Sequence, residues 1–152
     1  MSNSLQSMSL FVYQNHVDLH ALSAFEALSQ YLGAKKCIRL KRYKYWDIHA
    51  DTELADQAFV DHVTASSYYL LNPNKESSKR FLPVIQKEDY VAVYISVASS
   101  LLPMRHPLID RLNQRCGVQI EDLKEQVVWE CHVQAASYQE AVDYVEKSVL
   151  SV

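Results

Sequence analysis

The sequence predicts an α+β protein built as a tandem repeat of two βαββα modules with antiparallel sheets, over residues 1–85 and 86–152. Three observations carry this prediction. Residues 40–49, LKRYKYWDIH, recur at 123–132 as LKEQVVWECH, so that Leu40, Lys41, Trp46 and His49 match Leu123, Lys124, Trp129 and His132 at a constant offset of 83. The only two glycines, Gly33 and Gly117, lie 84 apart, and the only two tryptophans share the same spacing to within one residue. Each glycine follows a stretch of helical periodicity and precedes one of strand-like alternation, which is how a duplicated supersecondary unit reads in sequence.

Each copy opens on an apolar strand candidate, SLFVYQ at 9–14 and YVAVYISV at 90–97. In ALSAFEALSQYLG, Leu22, Phe25, Leu28 and Leu32 recur at steps of three or four, the spacing of one helix face. HPLIDRLNQRCG repeats the pattern with Leu108, Ile109, Leu112 and Cys116, and Pro107 suits its first turn. Gly33 and Gly117 then fit left-handed C-terminal caps, a conformation that any residue with a Cβ resists. After each glycine the alternation predicts a hairpin. KCIRLK would turn at Lys41–Tyr43 into KYWDIHA, and QIEDLK would turn at Lys124–Gln126 into VVWECHV. Trp46, Ile48 and Ala50 alternate with Tyr45, Asp47 and His49, which sends the tryptophan side to the core and the histidine side away from it. TELADQAFVDHV and SYQEAVDYVEKSV complete the copies as helices matched at offset 82, so the length differences fall in loops. Between the copies, Asn72-Pro73 marks a stop. FLPVI, at 81–85, reads equally as an edge strand or a linker, since Pro83 is tolerated only at a sheet edge.

Composition narrows the function classes. Hydrophobic residues make up 49% and charged residues 22%, an ordinary globular balance. A formal net charge of −3 supplies no field to draw the chain to nucleic acid. Apolar runs fall short of the roughly 18–20 residues that a membrane helix requires, and MSNSLQSMSLF lacks the basic and long apolar regions of a secretory signal. A cytoplasmic protein is expected. Two glycines leave no room for a GxGxxG or GxxxxGK phosphate loop. Cys37, Cys116 and Cys131, odd in number and without CxxC spacing, read as buried, inert thiols.

No catalytic constellation stands out. His16 and His20 have the HxxxH spacing of a metal pair, yet no third ligand follows, and Asp18 beside them suits a helix N-terminus. No metal, cofactor or catalytic residue is expected. The concentration that remains is KKCIRLKRYKYW, where Arg39, Lys41, Arg42, Tyr43 and Tyr45 stand close together. Basic and aromatic alternation can hold single-stranded RNA. This stretch lacks the glycines of that signature, and its counterpart EDLKEQVVWE is acidic, so a protein contact surface is the better reading. His49 and His132, matched between the copies, join that candidate partner surface.

In order and punctuation these features resemble the PurS family, the small structural subunit of phosphoribosylformylglycinamidine synthase. The resemblance rests on the helix ending in Leu32-Gly33, the segment through Ala50-Asp51, the next helix and LLNP at 70–73, and more loosely on Gly117, 120–133 and AVDYVEKSVL. The family's LDPxG turn is absent, and its hairpin Gly-Lys reads Lys41-Arg42 and Lys124-Glu125. The resemblance implies two ferredoxin-like, PurS-like modules packed as one globular unit. It also implies a non-catalytic subunit that holds the synthetase and glutaminase subunits together in purine biosynthesis, with self-association open. A fused pair would replace a dimer of single modules, with the second docking made intramolecular. A different expectation for the same pattern is a dimeric α+β-barrel-like protein that binds a small ligand in a pocket between the modules.

Overall fold

The computed structural model describes residues 5–31, 33–98 and 105–149. Leu32 of the expected first helix face and residues 99–104 of SSLLPMRHP lie outside them. The protein is α+β, with a five-stranded antiparallel sheet and four α-helices among the described residues. In chain order these are β1 (Leu5–Gln14), α1 (Leu19–Glu26), β2 (Cys37–Asp51), α2 (Asp56–Ser66), β3 (Glu76–Lys79), β4 (Val91–Ala98), α3 (Arg105–Cys116), β5 (Ile120–Val133) and α4 (Tyr138–Ser148). A π-helical turn, Ala27–Tyr31, extends α1. The strand order is β3-β1-β2-β5-β4. The antiparallel register sets Leu10 opposite Trp46, Met8 opposite Ile48, and Phe11 opposite both Tyr45 and Lys79.

The expected hairpins do not form. β2 runs unbroken for 15 residues and β5 for 14. The physical reason is legible in hindsight: Lys41–Tyr43 and Lys124–Gln126 contain no Gly, Pro, Asn or Asp, the residues that reverse a chain. Each half of the chain therefore runs β-α-β-α, and the first adds the short strand β3. FLPVI contributes no strand beyond an isolated bridge from Gln86 to Val91 just after it.

Two compact units result, and they do not follow the division at residue 85. One holds β1, β2 from Lys44 onward, α2, β3, α3 and β5 as far as Gln126. Its core is Met8, Leu10 and Val12 of β1, Trp46, Ile48 and Ala50 of β2, Phe59, Val60 and Val63 of α2, and Ile109, Leu112 and Cys116 of α3, with Leu70, Ile120 and Leu123. The other holds α1, β2 as far as Tyr43, β4, β5 from Val127 onward, and α4. Its core is formed by Leu28, Ala34, Cys37, Val91, Val93, Cys131, Val133, Ala135, Ala141 and Val145. Each unit thus takes one helix and half a long strand from each half of the chain.

Local rules account for the rest. Asp18 caps α1 by accepting from the backbone N–H groups of His20 and Ala21. Gly33 and Gly117 adopt φ of +70° and +66°, the left-handed caps expected of them. The α1 face differs from its periodicity: Leu28 is buried, but Leu22 is 45% exposed.

The tryptophans part company too. Trp46 is buried in its core, and its indole Nε1 donates to the Leu70 carbonyl at 3.1 Å. Trp129 points to the same side of its strand as Cys131 and Val133 but is only half-buried and stands outside their cluster. At offset 82 the residue matching Leu70 is Val152, which lies outside the described residues. Trp46→Ala should therefore cost roughly 3–5 kcal/mol, as full truncation of a buried aromatic does, and Trp129→Ala distinctly less. Urea unfolding of the two variants against the parent checks this, and equal losses would contradict it.

Candidate functional site

In the second unit, β5 from Val127 alternates cleanly. Cys131 and Val133 enter the apolar core, so Val128, Glu130 and His132 point to the opposite face of the sheet. That face is not left to solvent. Glu130 is 1% exposed and His132 is 5% exposed, which for a carboxylate demands partners.

Five side chains gather around the acid. Tyr43, itself 2% exposed, donates its hydroxyl to Glu130 Oε1 at 2.8 Å. His132 Nε2 lies 2.5 Å from Oε2. Lys41 brings its ammonium to 3.8 Å of the same oxygen. Tyr94 of β4 lies against the carboxylate and donates to the Pro83 carbonyl at 2.5 Å. Tyr90 stacks on the His132 ring, with centroids 5.3 Å apart and planes 12° from parallel. A tight return places Tyr90 there: Lys87 N–H donates to the Tyr90 carbonyl and Ala92 N–H to the Ile85 carbonyl.

The charge state follows from these contacts. Burial alone would raise the Glu130 carboxyl, but the hydrogen bonds from His132 and Tyr43 and the Lys41 charge outweigh it and hold the group below its ordinary range. An ionised carboxylate can only accept, so Nε2 of His132 carries the hydrogen between them. Tyr94 moves the other way: burial first, then the charge of Glu130, push its phenol up to about 12. No buried side-chain polar atom is left without a partner among the described residues.

A carboxylate that orients an imidazole is the arrangement of a general base. Here Tyr90 stacks on the imidazole and the carboxylate is 1% exposed, so both groups are taken up by contacts within the sheet. The cluster acts as a polar core that fixes the first half of β2, the second half of β5 and β4 in one register.

Of the residues that sequence places on a partner surface, Lys41, Tyr43 and His132 converge on Glu130. Tyr43 and His132 face inward and cannot meet a partner. The others lie apart. Arg39 is exposed, and Arg42 donates from Nε to Asp18 Oδ2 at 3.2 Å. Tyr45 shares a hydrogen bond of 3.1 Å with Ser9 and packs its ring 4.8 Å from that of Phe11. His49 pairs with Asp47 at 3.2 Å, both half-buried. His16 and His20 are exposed, and among the described residues no group of three His, Cys, Asp or Glu side chains could hold a metal.

Sequence reasoning matched the histidines but missed the acids two residues before them. Asp47-Ile48-His49 and Glu130-Cys131-His132 form an acid-x-His pattern at the same offset of 83, a visible signal that alternation puts on one strand face. Tyr90 and Tyr94 gave no such signal, because only the return at 86–91 brings them in. Comparison with family models, with curated proteins and with solved structures finds no match for the chain.

Glu130→Gln should cost roughly 3–5 kcal/mol at neutral pH by breaking the buried ionic cluster, and Tyr43→Phe roughly 1.5–3 kcal/mol. Because the folded carboxyl sits below its ordinary value of 4.5, the contribution of Glu130 is whole above that pH and is lost as pH falls through the lower folded value. Urea titrations of parent and Glu130→Gln should therefore converge only in acid. A gap that closes on the alkaline side instead would refute the assignment.

Proposed function

We propose that the protein is a non-catalytic assembly subunit, a fused pair of PurS-like modules that holds the synthetase and glutaminase subunits of a phosphoribosylformylglycinamidine synthase together. The observation that carries this reading is the composition of the two compact units. Each draws one helix and half a long strand from either half of the chain, as the two protomers of a module dimer would if joined end to end. The shared spacing of the capping glycines, the tryptophans and the acid-x-His pairs supports a common ancestry of the halves. The Asn72-Pro73 stop followed directly by the edge strand β3 supports the family resemblance.

The closed polar cluster fits a subunit without chemistry of its own, since its strongest interactions are spent on holding strands. Exposed Arg39, half-exposed Lys41 and Tyr45, and the Asp47–His49 pair remain as the partner-facing candidates. Affinity purification of the tagged chain from its host, with glutamine and nucleotide present, should recover a synthetase and a glutaminase of the purine pathway. Recovery of neither under those conditions refutes the proposal.

A further inference from the structure

Two of the three cysteines, 94 residues apart in sequence, meet inside the second unit. Cys37 opens β2, Cys131 lies on the adjacent β5, and their sulfurs are 3.0 Å apart. Both thiols are free. A disulfide bond measures about 2.05 Å, so a further approach of about 1 Å would join them. The backbone already holds the two strand ends together: the Gln134 N–H donates to the Lys36 carbonyl at 2.9 Å, next to Cys37.

We propose that Cys37 and Cys131 form an oxidation site at which a small hydroperoxide is reduced and an intramolecular disulfide links β2 to β5. The roles within the pair are unequal. The hydrogen bond from Cys131 lowers the Cys37 thiol, against the opposing effect of burial, while that same bond and burial push Cys131 up. Cys37 is thus the attacking sulfur and Cys131 the resolving one. Access favours the same order. Both sulfurs are buried, but Cys37 follows the Lys35–Lys36 turn and is flanked by exposed Lys36 and Ile38, whereas Cys131, two residues from the end of β5, is flanked by buried Glu130 and His132.

The step balances. The Cys37 thiolate attacks one oxygen of the peroxide, the O–O bond breaks, and hydroxide leaves to take up the proton that Cys37 lost, giving a first water and a Cys37 sulfenic acid. The Cys131 sulfur then attacks the Cys37 sulfur and displaces the hydroxyl, which leaves as a second water with the Cys131 proton. Two thiols supply two electrons, and the peroxide accepts both. Cys116 serves as an internal control: it is buried too, though slightly less than the pair, in the other unit, and its sulfur lies against the Val63 carbonyl rather than another thiol. This inference does not depend on the assembly reading.

The test is to treat the intact protein with hydrogen peroxide, then unfold it, alkylate it and count thiols by mass spectrometry without reductant. The expected result is one alkylated cysteine, Cys116, and a linked peptide pair containing Cys37 and Cys131, with all three thiols restored by dithiothreitol. In Cys131→Ala, Cys37 should be trapped by dimedone as the sulfenic acid and no link should form. Three alkylatable thiols after treatment, loss of Cys116 as fast as the pair, or a link that involves Cys116 would each overturn the proposal. The parent protein alone decides these outcomes, so a variant that fails to fold leaves the test intact.

Discussion

The backbone ladders of β2 and β5 carry the whole structure. A typical strand has about 5–6 residues, and these two have 15 and 14. A strand that long cannot serve a single small core, and each is divided between two. The half of β2 that begins at Lys44 contributes Trp46, Ile48 and Ala50 to one core, and the half before it contributes Cys37 to the other. β5 divides likewise, giving Ile120 and Leu123 to the first core and Cys131 and Val133 to the second. Neither core can be completed by one half of the chain, because each needs strand residues from both.

The cost of this arrangement shows on the sheet face away from the second core. Burying Glu130 there is favourable only because four kinds of partner answer it: a phenol, an imidazole, an ammonium and a stacked ring that closes the site. In the first unit Asp47 and His49 remain half-buried, and their 3.2 Å contact, with a longer one of 3.5 Å from Ser7 Oγ to Asp47, is of the kind that contributes little at a surface. The two acid-x-His pairs share a strand spacing and differ in environment. What distinguishes Glu130 is Tyr43 and Tyr94, which reach its carboxylate, and Tyr90, which covers its histidine.

Much of this was legible in the residues. Alternation placed Trp46, Ile48 and Ala50 on core-facing positions, the two glycines announced left-handed caps, and Asp18 announced a helix start. These are local rules that act over a few residues. Alternation reads the same along one long strand as along a hairpin, so the continuity of β2 shows only in the absence of a turn-forming residue at Lys41–Tyr43. The exchange of halves between the units was not legible, since no local pattern records which of two equivalent cores a strand will complete. The Glu130 cluster fell between these cases. Its acid-x-His spacing was on the page, but its burial depends on Tyr43, 87 positions away, and on a return at 86–91 that no periodicity marks. Nor could the meeting of Cys37 with Cys131 be read from spacing, because Cys37 and Leu40, three residues apart, both pack on the same core and break strict alternation at that point.

The most direct measurement cuts the chain where it is exposed, between Leu82 and Pro83, and produces the two pieces as separate polypeptides, alone and together. If each core needs strands from both pieces, the co-expressed pair purifies as a one-to-one complex that unfolds in a single cooperative transition near that of the intact chain. Two pieces that each fold as stable monomers and ignore one another would contradict the account.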